Sequence, residues 1–211
     1  MQLAIIDCGA GNLHSVRKAL AACLPEGVMP HVVTDAAALA DATHLVLPGV
    51  GAFADCMAGL NALPGMREAL EQRVLRDKIP FFGICVGMQM LFARGHEYGT
   101  TEGLGWFEGE VTRIAPKDAS LRIPHMGWNR LQAQQEHAIF NGLPQAPFMY
   151  FVHSYAASGT RPHEVLASVD YGGQIVALIG RENIVASQFH PEKSQRAGLQ
   201  LIRNFLAMKG A

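Results

Sequence analysis

The stretch Phe81-Phe82-Gly83-Ile84-Cys85-Val86-Gly87-Met88-Gln89 constrains this chain more than any other. Ile79 to Ile84 is a short apolar run behind Lys78, broken only by Pro80 and Gly83. That is the pattern of a strand buried on both faces. From Val86 the period changes, because Val86, Met90 and Ala93 share a helical face that Met88, Leu91 and Phe92 thicken. A strand that becomes a helix at Cys85 needs a tight turn, and Gly83 and Gly87 stand two residues to either side to permit it. Such a turn lifts the cysteine clear of the sheet and faces it with free N–H groups at a helix start, which favours the thiolate. A free cysteine is more often a small buried hydrophobe. The paired glycines and the change of period argue instead for a nucleophile.

The segments on either side supply a sheet for that turn. Leu3 to Ile6, Val32 to Thr34 and Leu45 to Leu47 read as short apolar strands. Between them lie a helical repeat (Leu13, Val16, Leu20, Cys23) with Asn12 at its N-cap and an alanine-rich helix capped by Asp35. The loop Cys8-Gly9-Ala10-Gly11-Asn12 has two glycines of a dinucleotide fingerprint and lacks the third. A further helix spans Met66 to Asp77. After Phe92 come a glycine-rich, polar stretch and short strands at Val111–Ile114, Asn129–Leu131, Phe148–Tyr155, Val165–Val169, Gln174–Ile179 and Ile184–Phe189. Leu199, Ile202, Phe205 and Leu206 then mark an amphipathic helix. The predicted fold is α/β: a mostly parallel central sheet flanked by helices, with an additional antiparallel sheet in the second half. No linker divides the chain, so residues 1–211 are expected to form one domain.

The 211 residues carry a net charge of −1 and no basic run, which argues against nucleic acid and membrane surfaces as partners. Cys8, Cys23, Cys56 and Cys85 lack metal or redox spacing and read as reduced thiols of a cytoplasmic protein. No secretory leader, membrane span, cofactor or metal is expected.

A nucleophile needs a base. In Ser187-Gln188-Phe189-His190-Pro191-Glu192-Lys193, an extended backbone points His190 and Glu192 to one side, and Pro191 ends the strand. Cys85, His190 and Glu192 then make a nucleophile, a base and a carboxylate that fixes the imidazole tautomer. A metal site at His190 and Glu192 is the alternative, but no third ligand has the spacing. Pro48-Gly49-Val50-Gly51-Ala52-Phe53, at the carboxyl end of the third strand, is either a simple turn or a donor of oxyanion-hole N–H groups.

Taken together, Gly-Ile-Cys-Val-Gly-Met-Gln, Pro-Gly-Val-Gly and Phe-His-Pro-Glu resemble the nucleophile, oxyanion and base motifs of the class I, triad-type glutamine amidotransferases. Three stretches resemble one branch of that family, the glutaminase subunits that feed a cyclase in histidine biosynthesis. They are Pro48 to Phe53, Pro124-His125-Met126-Gly127-Trp128-Asn129 and Tyr150-Phe151-Val152-His153-Ser154-Tyr155. The resemblance implies L-glutamine as substrate and a heterodimer with a partner cyclase subunit. It implies an oxyanion hole from Val86 and from Val50 or Gly51, and a glutamine site of Gly51, Gln89, Glu97, Ser154 and Tyr155. Where the family has a Ser-Glu-Glu-like stretch, this chain has Gly95-His96-Glu97. Trp128 and Asn129, read as lying in a loop, are the expected partner contacts. The competing readings are the glutaminase of a different amidotransferase and a stand-alone cysteine hydrolase.

Overall fold

The computed structural model describes residues 1–9 and 12–210. The chain opens with β1 (Leu3–Ile6), α1 (Leu13–Ala21) and β2 (His31–Val33), then passes through a 3₁₀ turn into β3 (His44–Gly49). The Asp35 side chain accepts from the Ala37 N–H at the start of that turn, as expected. Next come α2 (Phe53–Asn61), α3 (Met66–Leu70) with a wider turn over Glu71–Arg76, and β4 (Phe81–Cys85). The middle of the chain holds α4 (Val86–Gln89), β5 (Phe92–Gly95), β6 (Thr101–Glu102) and β7 (Phe107–Arg113). It continues through β8 (His125–Arg130), β9 (Gln132–Ala133), β10 (Phe148–His153) and β11 (Tyr155–Ser158). The chain closes with β12 (Val165–Asp170), β13 (Gln174–Arg181), β14 (Ile184–Ser187) and α5 (Gln195–Leu206).

One large sheet runs β2-β1-β3-β4-β14-β13-β12-β9. Its first five strands are parallel and the last three antiparallel. Every residue of β1, β3, β4 and β14 is buried. That is why these strands read as continuous apolar runs rather than alternating ones. The antiparallel part is thus continuous with the parallel sheet, and the parallel part recruits β14 from the far end of the chain. A four-stranded sheet, β11-β7-β5-β6, and the ribbon β10-β8 stand beside it.

Three local expectations need correction. The helix after Cys85 does not run on to Ala93; it ends at Gln89, and Phe92 to Gly95 is a strand. The carbonyls a longer helix would use are taken by another segment. Leu104 N–H bonds the Met90 carbonyl at 2.7 Å, and Trp106 and Phe107 both bond that of Leu91. Trp128 and Asn129 lie in β8, paired with Tyr150 and Met149 of β10, and not in a loop. The flanking Gly127 and Pro124 suggest irregularity where the β10 backbone imposes a ladder. Asn12 stands at the N-cap of α1 but makes no side-chain cap bond. Gly11, on which half of the dinucleotide reading rests, lies outside the described residues.

Candidate active site

At the β4–α4 joint, Cys85 itself has the unusual backbone, with φ 55° and ψ −112°. The two glycines serve another need, since neither has a positive φ. A Cβ on Gly87 would meet the Leu47 carbonyl oxygen at 1.8 Å, and one on Gly83 would meet the Gly87 oxygen at 2.8 Å. Gly49 closes the same contact from β3, where a Cβ would lie 2.8 Å from the Gly87 nitrogen. Backbone therefore packs on backbone beneath the cysteine, and no side chain fits there. Cys85 faces Gly49 across the β3–β4 ladder. This brings the elbow and the Pro48–Gly51 loop together.

His190 follows β14, which pairs in parallel with β4. Its N–H bonds the Tyr150 carbonyl at 2.9 Å, and the His190 carbonyl accepts from Ser194 Oγ at 2.6 Å. Glu192 lies in a short 3₁₀ turn, Pro191–Lys193, and not in an extended strand. His190 Nδ1 still reaches Glu192 Oε1 at 2.8 Å, with both side chains almost fully buried. Burial disfavours the imidazolium, but Cys85 and then Glu192 outweigh it and raise the His190 pKa to about 9. His190 Nε2 is buried without a hydrogen-bond partner among the described residues. It is the free end of the imidazole.

Cys85 and His190 both open on one cavity of about 590 Å³. Val50, Gly51, Val86, Gln89, Glu97, Ser154 and Tyr155, all singled out in the sequence, line it too. Among the described residues no carbonyl or side chain takes the N–H of Val50 or Gly51. The Val50 carbonyl accepts from Cys56 Sγ at 3.5 Å, and that of Pro48 from Cys8 Sγ at 3.9 Å. Contact with Cys8, then burial, push the Cys56 thiol far above its ordinary range, so it remains a donor. Glu97 Oε2 accepts the Phe53 N–H at 3.0 Å, which anchors the start of α2 behind the loop.

Trp128 is 46% exposed and makes an edge contact with Tyr150, whose other neighbour is the Lys193 ammonium. Lys193 lines the cavity, whereas Trp128 lines a separate one of about 810 Å³ with Leu143, Pro147, Phe148 and Leu199. Asn129 alternates to the other face of β8, where its amide donates to the Asp170 carbonyl and faces His125.

Two polar residues of the site carry no catalytic or binding role in the sequence reading. Asn12 Nδ2 donates to Glu192 Oε1 at 3.3 Å, so the helix-cap position supports the buried carboxylate. Gln188 is fully buried; its Oε1 accepts from Gln89 Nε2 at 3.0 Å and its Nε2 lies 3.7 Å from Cys85 Sγ. Its only sequence signal is a polar side chain at the end of a buried strand, beside Ser187. Among the described residues no group of three or more His, Cys, Asp or Glu gathers as a metal site, and no helix is long and apolar enough to cross a membrane.

A family model described as glutamine amidotransferase class-I matches residues 4–208. A relative from Brucella suis, named imidazole glycerol phosphate synthase subunit HisH, is 50% identical over 215 residues, covering 99% of this chain and 100% of its own length. A protein of the same name from Rhodospirillum rubrum is 52% identical over 210 residues and 98% of each chain. A solved glutamine amidotransferase matches with a TM-score of 0.74 at 22% identity, over 98% of this chain and 97% of that one. A putative GMP synthase subunit from Thermoplasma acidophilum gives a TM-score of 0.66 at 21% identity, over 98% of this chain and 92% of that one. At such identities these two structures speak for the fold.

Proposed function

The chain belongs to the glutamine amidotransferase class-I family, and from that premise we propose that it is the glutaminase subunit of an imidazole glycerol phosphate synthase. The observation that carries the residue roles is the cavity where Cys85 and the His190–Glu192 pair meet beside Gln89, Glu97, Ser154 and Tyr155. Cys85 attacks the carboxamide carbon of L-glutamine, and the oxyanion is held by the Val86 N–H and by one from Val50 or Gly51. Loss of one such donor costs roughly 10²–10³ in rate. His190 takes the Cys85 thiol proton and gives it to the carboxamide nitrogen, which leaves as ammonia when the C–N bond breaks; it then takes a proton from the water that hydrolyses the γ-glutamyl thioester to glutamate and returns it to the Cys85 sulfur. Glu192 holds the tautomer and stabilises the imidazolium.

The ammonia passes to a cyclase subunit, which makes imidazole glycerol phosphate and an aminoimidazole carboxamide ribotide in histidine biosynthesis. The cytoplasm, where such phosphorylated intermediates and reduced thiols are found, is the proposed compartment. Residues 1–211 act as one glutaminase unit. Trp128 is the proposed anchor for the cyclase, since large exposed aromatics are typical interface hot spots, and Asn129 backs it by holding β8 in place. Gly51, with a φ of 93°, leaves the backbone beside Val50 free to reorient when the partner docks, while Gly49 stays fixed in the β3 ladder.

The test is glutamate release by the chain alone, with the cyclase, and with the cyclase and its nucleotide ligand, alongside labelling by an electrophilic glutamine analogue. Expected are label on Cys85 only, no release by Cys85→Ala, and release that rises in the complex. Equal rates in all three states would favour a stand-alone hydrolase. Trp128→Ala should weaken docking while Cys85 stays reactive.

A further inference from the structure

The ribbon β8–β10 sets His125 directly opposite His153, and the two rings meet edge to edge in the interior. His125 Nδ1 lies 3.0 Å from His153 Nε2, and each residue is almost fully buried. His125 also stacks on Tyr171 and Phe151, with ring centres 4.0 and 4.7 Å apart. The proton positions in this pair follow by elimination. The Tyr155 carbonyl can only accept, so His153 Nδ1, 2.9 Å away, carries a hydrogen. A neutral ring then leaves His153 Nε2 bare, and His125 Nδ1 must donate to it. His125 Nε2 is bare in turn and accepts from Asn129 Nδ2 at 3.3 Å. Asn129 spends its second amide hydrogen on the Asp170 carbonyl at 2.9 Å. Burial lowers both imidazole pKa values to about 4, so each ring is neutral at pH 7.

The string continues toward the nucleophile. The Tyr155 carbonyl also accepts from Gln89 Nε2 at 3.0 Å, whose other hydrogen goes to Gln188 Oε1 at 3.0 Å. Gln188 Nε2 in turn points at Cys85 Sγ. With both amide hydrogens committed, Gln89 offers the cavity only its oxygen.

We propose that His125 and His153 are positioning residues of the glutamine site, holding the Tyr155 carbonyl and, through it, the Gln89 amide with its oxygen toward the substrate. The proposal rests on the glutaminase reading and names no new contact to substrate by either imidazole. Gln89 Oε1 thereby acts as an acceptor for an N–H of glutamine. A flipped amide would present a donor to a donor, and the misplaced bond costs about tenfold in affinity.

Two measurements test it. In the wild-type chain labelled with ¹⁵N-histidine, His125 and His153 should both appear at pH 7 as neutral rings protonated on Nδ1. Either ring protonated on Nε2, or charged, overturns the string. In the complex with the cyclase, His153→Leu should raise the KM for glutamine about tenfold with a smaller change in kcat. His153→Asn, whose amide replaces the Nδ1 donor, should bring KM back to within about threefold of wild type. Equal KM values for the Leu and Asn variants would overturn the proposal. A wild-type complex that releases no glutamate would sink the glutaminase reading instead, whereas the tautomers are read without any activity.

Discussion

Cys85 ends β4 and His190 follows the neighbouring β14, yet the protein holds the two by opposite means. Cys85 is held by backbone. Gly49, Gly83 and Gly87 form a contact with no room for a Cβ, and the cysteine itself takes a positive φ. His190 is held by side chains: Glu192 on its ring, Asn12 behind Glu192 and Ser194 on its carbonyl. A backbone-built part cannot be tuned without disturbing the fold, because rigid atoms have nowhere to move. A side-chain-built part can lose strength in steps while the fold survives.

The largest effect should break the first half of this comparison. Gly87→Ala sets a methyl against the Leu47 carbonyl, and we expect a loss on the order of 4 kcal/mol or more in urea unfolding. Wild-type stability in that variant would show that the elbow relaxes and that backbone contact does not hold it. Glu192→Gln sharpens the second half. It should unfold normally yet release glutamate some 10–10⁴-fold more slowly; an unchanged rate would leave Glu192 a structural carboxylate.

The same pair has a pH signature. The folded His190 pKa, about 9, stands above the ordinary value of about 6.5. Its stabilisation is therefore fully present below about 6.5 and is lost as pH rises through about 9. Glutamate release by the wild type should fall off on that alkaline limb, and in Glu192→Gln the limb should move toward lower pH. The buried pair His125 and His153 has the opposite sign. The unfolded chain takes up protons near 6.5, but these rings resist until about 4. Thermal unfolding midpoints should drop as pH falls through that window, and less so in His153→Asn. The smallest effect belongs to Asn12→Ala. With one neutral donor to Glu192 gone, a few-fold loss in turnover is expected at unchanged stability, and no loss at all would mean that Glu192 is oriented by His190 alone.

Much of this is legible in the sequence because it is written in short-range pattern. Continuous apolar runs locate β1, β3 and β4, and the change of period at Cys85 locates the elbow. The glycines at the joint are legible too, but for a different reason, since the pattern suggests turn freedom and the fold uses them for close packing. The length of α4 is not legible, because Met90 to Phe92 suit a helix, and only the partners from Leu104 to Phe107 on their carbonyls leave Met90 and Leu91 in a turn and start a strand at Phe92. An extended-strand argument pairs His190 with Glu192, although a 3₁₀ turn is what brings them together.

The sequence by itself determined the parallel sheet, the turn at Cys85 and the family to which the chain belongs, because burial on both faces and a strand-to-helix joint leave local signatures in residue type. Only the tertiary structure decided that β14 lies beside β4, that Asn12 backs Glu192, and that His125, His153, Gln89 and Gln188 form one directed string. Those pairings join residues 28 to 180 positions apart. They depend on which hydrogen-bonding atoms the packed sheets bring within about 3 Å, and no local pattern encodes that distance.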